Sequence, residues 1–219
     1  MESPPPTPPS TDGTGPGARA AGVDLFWLPL GAGGSSVRFN GRVFEGVQAR
    51  LERRRPLDLY HTALEVRFEG AVFVIEMTPI PDARGQARGV VVEGPVGARW
   101  AARFRIFRYE IRCWRGGAIP DVDEAVASPL RLSDDPLIAR RIIELAPQVP
   151  PATWGRDELE GGEMWNSNSV VAWLLERAGL PAGAILPPGG GRAPGWRSGI
   201  VVARRASPRE PHRPMLLTR

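Results

Sequence analysis

Met164-Trp165-Asn166-Ser167-Asn168-Ser169-Val170-Val171-Ala172-Trp173-Leu174-Leu175 is the stretch that decides how the chain folds. A polar run, Asn-Ser-Asn-Ser, leads straight into an apolar segment that ends at Ala178-Gly179. Asn and Ser cap helices because their side chains accept hydrogen bonds from the free amides of the first turn. Gly is a common stop. The spacing predicts a helix over 168–178, apolar on more than one face and therefore buried. A hydroxyl then sits at the positive end of a buried helix, where negative charge is stabilised and free amides can serve as oxyanion donors. The plainer reading is that the four residues only cap the helix.

The 219 residues, 42% hydrophobic, suit one globular domain with tails. We read 1–20 as a disordered, Pro-rich N-terminal tail, 21–206 as a single α+β domain, and 207–219 as a disordered C-terminal tail. The net charge is +4 and every cation is Arg. The arginines are interleaved with acids and not gathered into a basic patch with stacking aromatics, so nucleic-acid binding is not expected. The single cysteine, Cys113, excludes an intrachain disulfide and a cysteine-based zinc site, and is read as a buried, inert thiol. No apolar run approaches the ~20 residues of a membrane helix, and no signal peptide is evident, so a cytoplasmic location is the default. No cofactor or metal is implied.

Outward from the central helix, strands are expected at 23–30, 59–68 and 71–77, the last two joined at Glu69-Gly70. A hairpin is expected over 37–44 with Asn40-Gly41 at its tip, followed by a short helix over 45–54. Gly31–Gly34 is read as a turn, since it lacks the ending of a phosphate loop. A short strand is expected at 90–92. A long strand over 100–114 loses its alternation near Phe107–Tyr109, which suggests a bulge or break. A weak helix is read at 121–127, a stronger one after Asp135-Pro136, a loop at 187–191, and a closing strand at 199–203. Strands first and a helix late read as α+β.

A serine nucleophile needs a base. The chain has two histidines, and His212 falls in the tail, which leaves His61. Glu76 closes the apolar run Val72–Ile75, where a carboxylate is costly unless it is paired. With a turn centred at 69–70, His61 lies opposite residue 78 and about two positions from Glu76. The alternative partner for Glu76 is an arginine. Trp196, in the loop before the last element, could line a cleft or simply pack.

The order of these elements resembles that of circularly permuted papain-fold proteins of the lecithin–retinol acyltransferase-like superfamily. Asn166-Ser167-Asn168-Ser169-Val170 resembles their nucleophile motif, with Ser167 in the cysteine position; Tyr60-His61-Thr62-Ala63 resembles their histidine strand. The resemblance implies an antiparallel sheet packed on a central buried helix. It also implies a site in which Ser167 attacks, His61 takes the proton and Glu76 orients the imidazole. Asn166, Asn168 and Trp196 would line it, with Asn166 and the Ser167 amide near the oxyanion. A thiolate forms readily beside an imidazole, whereas serine needs a well-aligned base. Two functions therefore stay open. One is an acyl-ester or amide hydrolase or acyltransferase, acting on a small-molecule, lipid or peptide acyl substrate. The other is a non-catalytic binding or interaction domain, an inactive member with serine replacing cysteine.

Overall fold

The computed structural model describes residues 20–30, 58–80 and 89–206. The expected 37–44 hairpin, the 45–54 helix, the Gly31–Gly34 turn and nearly all of both tails lie outside these residues. The described part is α+β: six antiparallel strands and three α-helices. The strands are β1 (Gly22–Pro29), β2 (Tyr60–Phe68), β3 (Ala71–Pro79), β4 (Val90–Pro95), β5 (Arg108–Arg115) and β6 (Val126–Ser133). They lie in the order β4-β5-β3-β2-β1-β6. The helices are α1 (Pro136–Leu145), α2 (Ser167–Ala178) and α3 (Trp196–Ala206).

β2 and β3 form a hairpin over a two-residue turn, Glu69-Gly70, both with positive φ, as a tight right-twisted hairpin requires. The register pairs Leu64 with Ile75. β1 lies on the other side of β2, with Leu25 opposite Leu64, Trp27 opposite Thr62 and Leu28 opposite His61. Side chains alternate across each strand, so this register sorts the sheet into two faces. Val23, Leu25, Trp27, Tyr60, Leu64, Val66, Ile75, Met77, Tyr109 and Ile111 join the helices in the main core. Phe26, Leu28, Ala63 and Val74 form a second, smaller cluster with Ile119 on the opposite face.

α2 is the buried centre of the helical layer. Val171, Leu174 and Leu175 are within 1% of full burial, as its apolar composition requires. It packs against β2 and β3 on one side and α3 on the other. The α2–α3 approach is close at Gly199, where a Cβ would meet the Ser169 carbonyl oxygen at 2.2 Å. α1 begins as its sequence predicts: Asp135 caps it by accepting from the Leu137 amide, with Pro136 in the first turn.

Three expectations are corrected. Residues 199–203 are not a closing strand but part of α3. A short apolar run cannot be told from helix by content alone, and the helical spacing of Trp196, Ile200 and Ala203, all buried, carries the distinction. Residues 121–127 are not a helix: a single 3-10 turn at Val122–Glu124 leads into edge strand β6. The long strand expected over 100–114 holds only from Arg108. Two 3-10 turns, Arg99–Arg103 and Arg105–Phe107, precede it, and the lost alternation near Phe107–Tyr109 marks the junction.

Candidate functional site

The start of α2 is a dense polar node. Asn166 is its N-cap: Oδ1 accepts from the amides of Asn168 (2.9 Å) and Ser169 (3.2 Å). Ser169 Oγ returns the favour by accepting from the Asn166 amide at 3.1 Å, which completes a capping box. Ser169 Oγ also donates to the Gly195 carbonyl at 2.8 Å. The Asn166 side-chain amide donates to the Pro194 carbonyl at 2.8 Å.

Asn168 ties this node to the sheet. Its amide nitrogen donates to the carbonyls of Tyr60 and Pro194, both at 2.9 Å, and its oxygen accepts from Thr62 Oγ1 at 3.0 Å. Asn168 is 1% exposed, so these bonds form out of water, where leaving them unmade is costly. Gly195 closes the node. Its φ is +86°, and a Cβ there would meet Asn166 Oδ1 at 2.5 Å; its amide donates to Glu163 Oε2 at 2.9 Å. From sequence, Thr62 enters only as part of the histidine-strand motif and Pro194 and Gly195 only as part of the loop before Trp196, while Glu163 is not singled out. A signal for Thr62 was available: on a strand, the neighbour of His61 points the other way.

Ser167 occupies the first helical turn and is 6% exposed. Among the described residues its hydroxyl has no hydrogen-bond partner, unlike the side chains of Asn166, Asn168 and Ser169. The helix end favours negative charge there, but the nearby amides of Asn168 and Ser169 are already held by Asn166.

His61 is not part of this node. Thr62 reaches α2, so His61 faces the other side of the sheet, beside Leu28 in the register. Ser167 and His61 are thus separated by the sheet. Burial lowers the imidazole pKa to about 4, against a smaller upward pull from the Asp121 carboxylate. Desolvation thus keeps the ring neutral well below the pH at which an exposed imidazole would take up a proton.

Glu76 shares the far face with His61. Continuing the β2–β3 register puts His61 opposite Thr78, two positions from Glu76. The carboxylate bonds not to histidine but to the guanidinium of Arg112, its cross-strand partner, at 2.9 Å. Arg112 also bridges Glu110 at 2.5 Å, and all three side chains are buried. Burial, the largest influence, raises the Glu76 pKa; Arg112 opposes it and the neighbouring Glu110 carboxylate adds to it. The group is a buried ion-pair cluster with its acceptors engaged by arginine.

Trp196 packs. Its Nε1 donates to the Ala182 carbonyl at 3.0 Å, and its ring lies 5.4 Å from that of Trp27. Cys113 is a free, partly buried thiol whose pKa burial raises to about 11, which makes it a poor nucleophile. Among the described residues no group of three His, Cys, Asp or Glu side chains is placed to hold a metal ion, and no helix is long and apolar enough to cross a membrane.

The arrangement therefore gathers Asn166, Asn168 and Ser169 around the α2 N-terminus with Ser167 beside them. Trp196 packs at the start of the adjoining α3, and His61 and Glu76 lie on the opposite face of the sheet. Comparison with models of protein families, with curated proteins and with solved structures finds no match for this chain.

Proposed function

We propose that this chain is a non-catalytic binding domain. The observation that carries the proposal is the separation of Ser167 from His61 by the sheet, while Thr62 takes the place facing α2. A serine hydroxyl attacks only when an aligned base removes its proton, within about 2.6–3.2 Å or somewhat more before substrate binds. A base pointing away from the helix cannot do this. The polar residues at the helix start bond to one another, to β2 and to residues 194–195, so their work is to hold α2 on the sheet.

The competing reading is an acyl hydrolase or acyltransferase. Ser167, unpartnered at a helix N-terminus, speaks for it; the placement of His61 and the engagement of Glu76 by Arg112 speak against it. A permuted papain-like arrangement is supported only by strands that precede a capped, buried helix packed over β2 and β3; the closing strand of the expected order is a helix. The catalytic half of that resemblance has no such support. The test is labelling with a fluorophosphonate probe. The binding reading expects no adduct on Ser167 in the full chain. An adduct that forms on Ser167, and is lost in both Ser167→Ala and His61→Gln, would overturn it.

A further inference from the structure

The excursion between β4 and β5 carries an unusual surface. Arg103, Phe104, Arg105, Ile106 and Phe107 are five consecutive exposed residues, with Trp100 one turn earlier. Trp100 is 68% exposed, Phe104 48%, Ile106 76% and Phe107 42%. Together they leave on the order of 500 Å² in water, within the range of the largest apolar patch on a typical monomer, which is often a functional one.

The excursion is held in shape. The Val96 amide donates to the Phe107 carbonyl at 2.8 Å, closing its base, and Ala101 is buried beneath it. Arg108 donates to the Ala102 carbonyl. The exposed side chains are therefore displayed on a braced turn.

The cations divide into two kinds. Arg99 pairs with Glu158 and Arg108 lies 3.7 Å from Glu93, so both are compensated. Arg103 and Arg105 have no carboxylate partner among the described residues. Arg103 lies over the rings of Trp100 (5.5 Å) and Phe104 (4.8 Å), which brings its charge to the middle of the apolar patch.

We infer that this excursion is a docking surface for an anionic lipid bilayer. Trp100, Phe104, Ile106 and Phe107 enter the headgroup boundary, and Arg103 and Arg105 meet lipid phosphates. Aromatic and aliphatic side chains between cations are the composition that lies in a membrane interface, where the ring bodies are buried and the guanidinium heads stay with the phosphates. A single-stranded nucleic acid fits less well. Bases stack on open aromatic faces, but Arg103 covers one face of both Trp100 and Phe104, and Ile106, the most exposed of the group, has no stacking face. The inference goes beyond the binding reading above and does not depend on what Ser167 does.

The test is flotation of the full chain with vesicles of phosphatidylcholine alone and of phosphatidylcholine with about a third phosphatidylglycerol. Binding to the anionic vesicles only, weakened by salt, is the expected result. Arg103→Gln with Arg105→Gln should lower the partition coefficient roughly 30-fold, at about fivefold per cation. Trp100→Ala with Ile106→Ala should lower it at least about tenfold, while Leu186→Ala, an exposed leucine outside the patch, should leave it unchanged. All these side chains are exposed, so melting temperatures should match the parent and separate lost docking from lost folding. Four results would overturn the proposal. These are no binding to anionic vesicles, binding unaffected by either double variant, a single-stranded oligonucleotide bound through these residues in preference to vesicles, or a dimer of the chain that Trp100→Ala with Ile106→Ala dissolves.

Discussion

Among the described residues, Asn168→Ala removes the one side chain that ties the start of α2 to both β2 and the 194–195 segment. It deletes three hydrogen bonds: from Thr62 Oγ1, to the Tyr60 carbonyl and to the Pro194 carbonyl. The bond to Pro194 contributes about 1 kcal/mol net, and each of the other two, whose loss strands a buried group, about 1–2 kcal/mol, at the low end of the penalty for an unpartnered buried group. Pro194 keeps the Asn166 amide, so the added penalty falls mainly on Tyr60 and Thr62. The expected loss is about 3–5 kcal/mol, or roughly 10 °C in melting temperature for a domain of this size. Urea unfolding followed by tryptophan fluorescence measures it, with an unchanged m-value confirming that only stability has moved. Ser167→Ala, one position away, should change stability by less than about 0.5 kcal/mol, because its hydroxyl has no partner to lose. Adding Thr62→Val completes a double-mutant cycle with an expected coupling of about 1 kcal/mol. If Asn168→Ala costs under about 1 kcal/mol, or Ser167→Ala costs as much as Asn168→Ala, the node is not what fastens α2 to the sheet.

Three further outcomes follow from the same geometry. Arg112→Met should destabilise by about 3–5 kcal/mol, because it strands the buried carboxylates of Glu76 and Glu110; Glu76→Gln should cost within about 1 kcal/mol in the same urea assay. Gly195→Ala should cost about 2–4 kcal/mol, since the new Cβ combines left-handed backbone with a contact at 2.5 Å from Asn166 Oδ1, and circular dichroism melts would show it. The parent should lose stability as pH falls from 6.5 towards 4: the unfolded chain protonates His61 first, so it binds more protons across that window and stability rises with pH. The loss is at most about 3 kcal/mol. Glu76, with its raised pKa, acts in the opposite sense, so the comparison is with His61→Gln, in which the His61 share of the slope disappears.

Much of the fold could be read from residues alone, where local chemistry and burial agree. Asn166 and Gly179 bound α2, Asp135-Pro136 opens α1, and Glu69-Gly70 turns β2 into β3 with the register that places His61 two positions from Glu76. The misread elements are those in which composition and context part. Gly199–Ala203 is rich in β-branched residues, yet close contact with α2 holds it helical. β6 is an edge strand with exposed residues and a proline, so it carries no clean alternation. At the candidate site, chain order pointed to Ser167, His61 and Glu76 as neighbours. Two of the three share a face, but which face a strand residue takes depends on the register of the whole sheet against the helices. Thr62, one residue along, holds the inward place, and the Asn-Ser-Asn-Ser run reads in structure as a capping box extended by a bridge to β2.

The separation of His61 from Ser167 is tested most directly by titrating His61 itself. In a His212→Gln background the imidazole resonances belong to one residue. The ring should titrate with a midpoint at about 4, lowered by burial, and with the same midpoint in Ser167→Ala, because the sheet lies between them. A midpoint at or above the ordinary histidine value of 6.5 that moves when Ser167 is replaced would show the two side chains in contact. The site would then be a serine–histidine dyad, and the non-catalytic reading would fall.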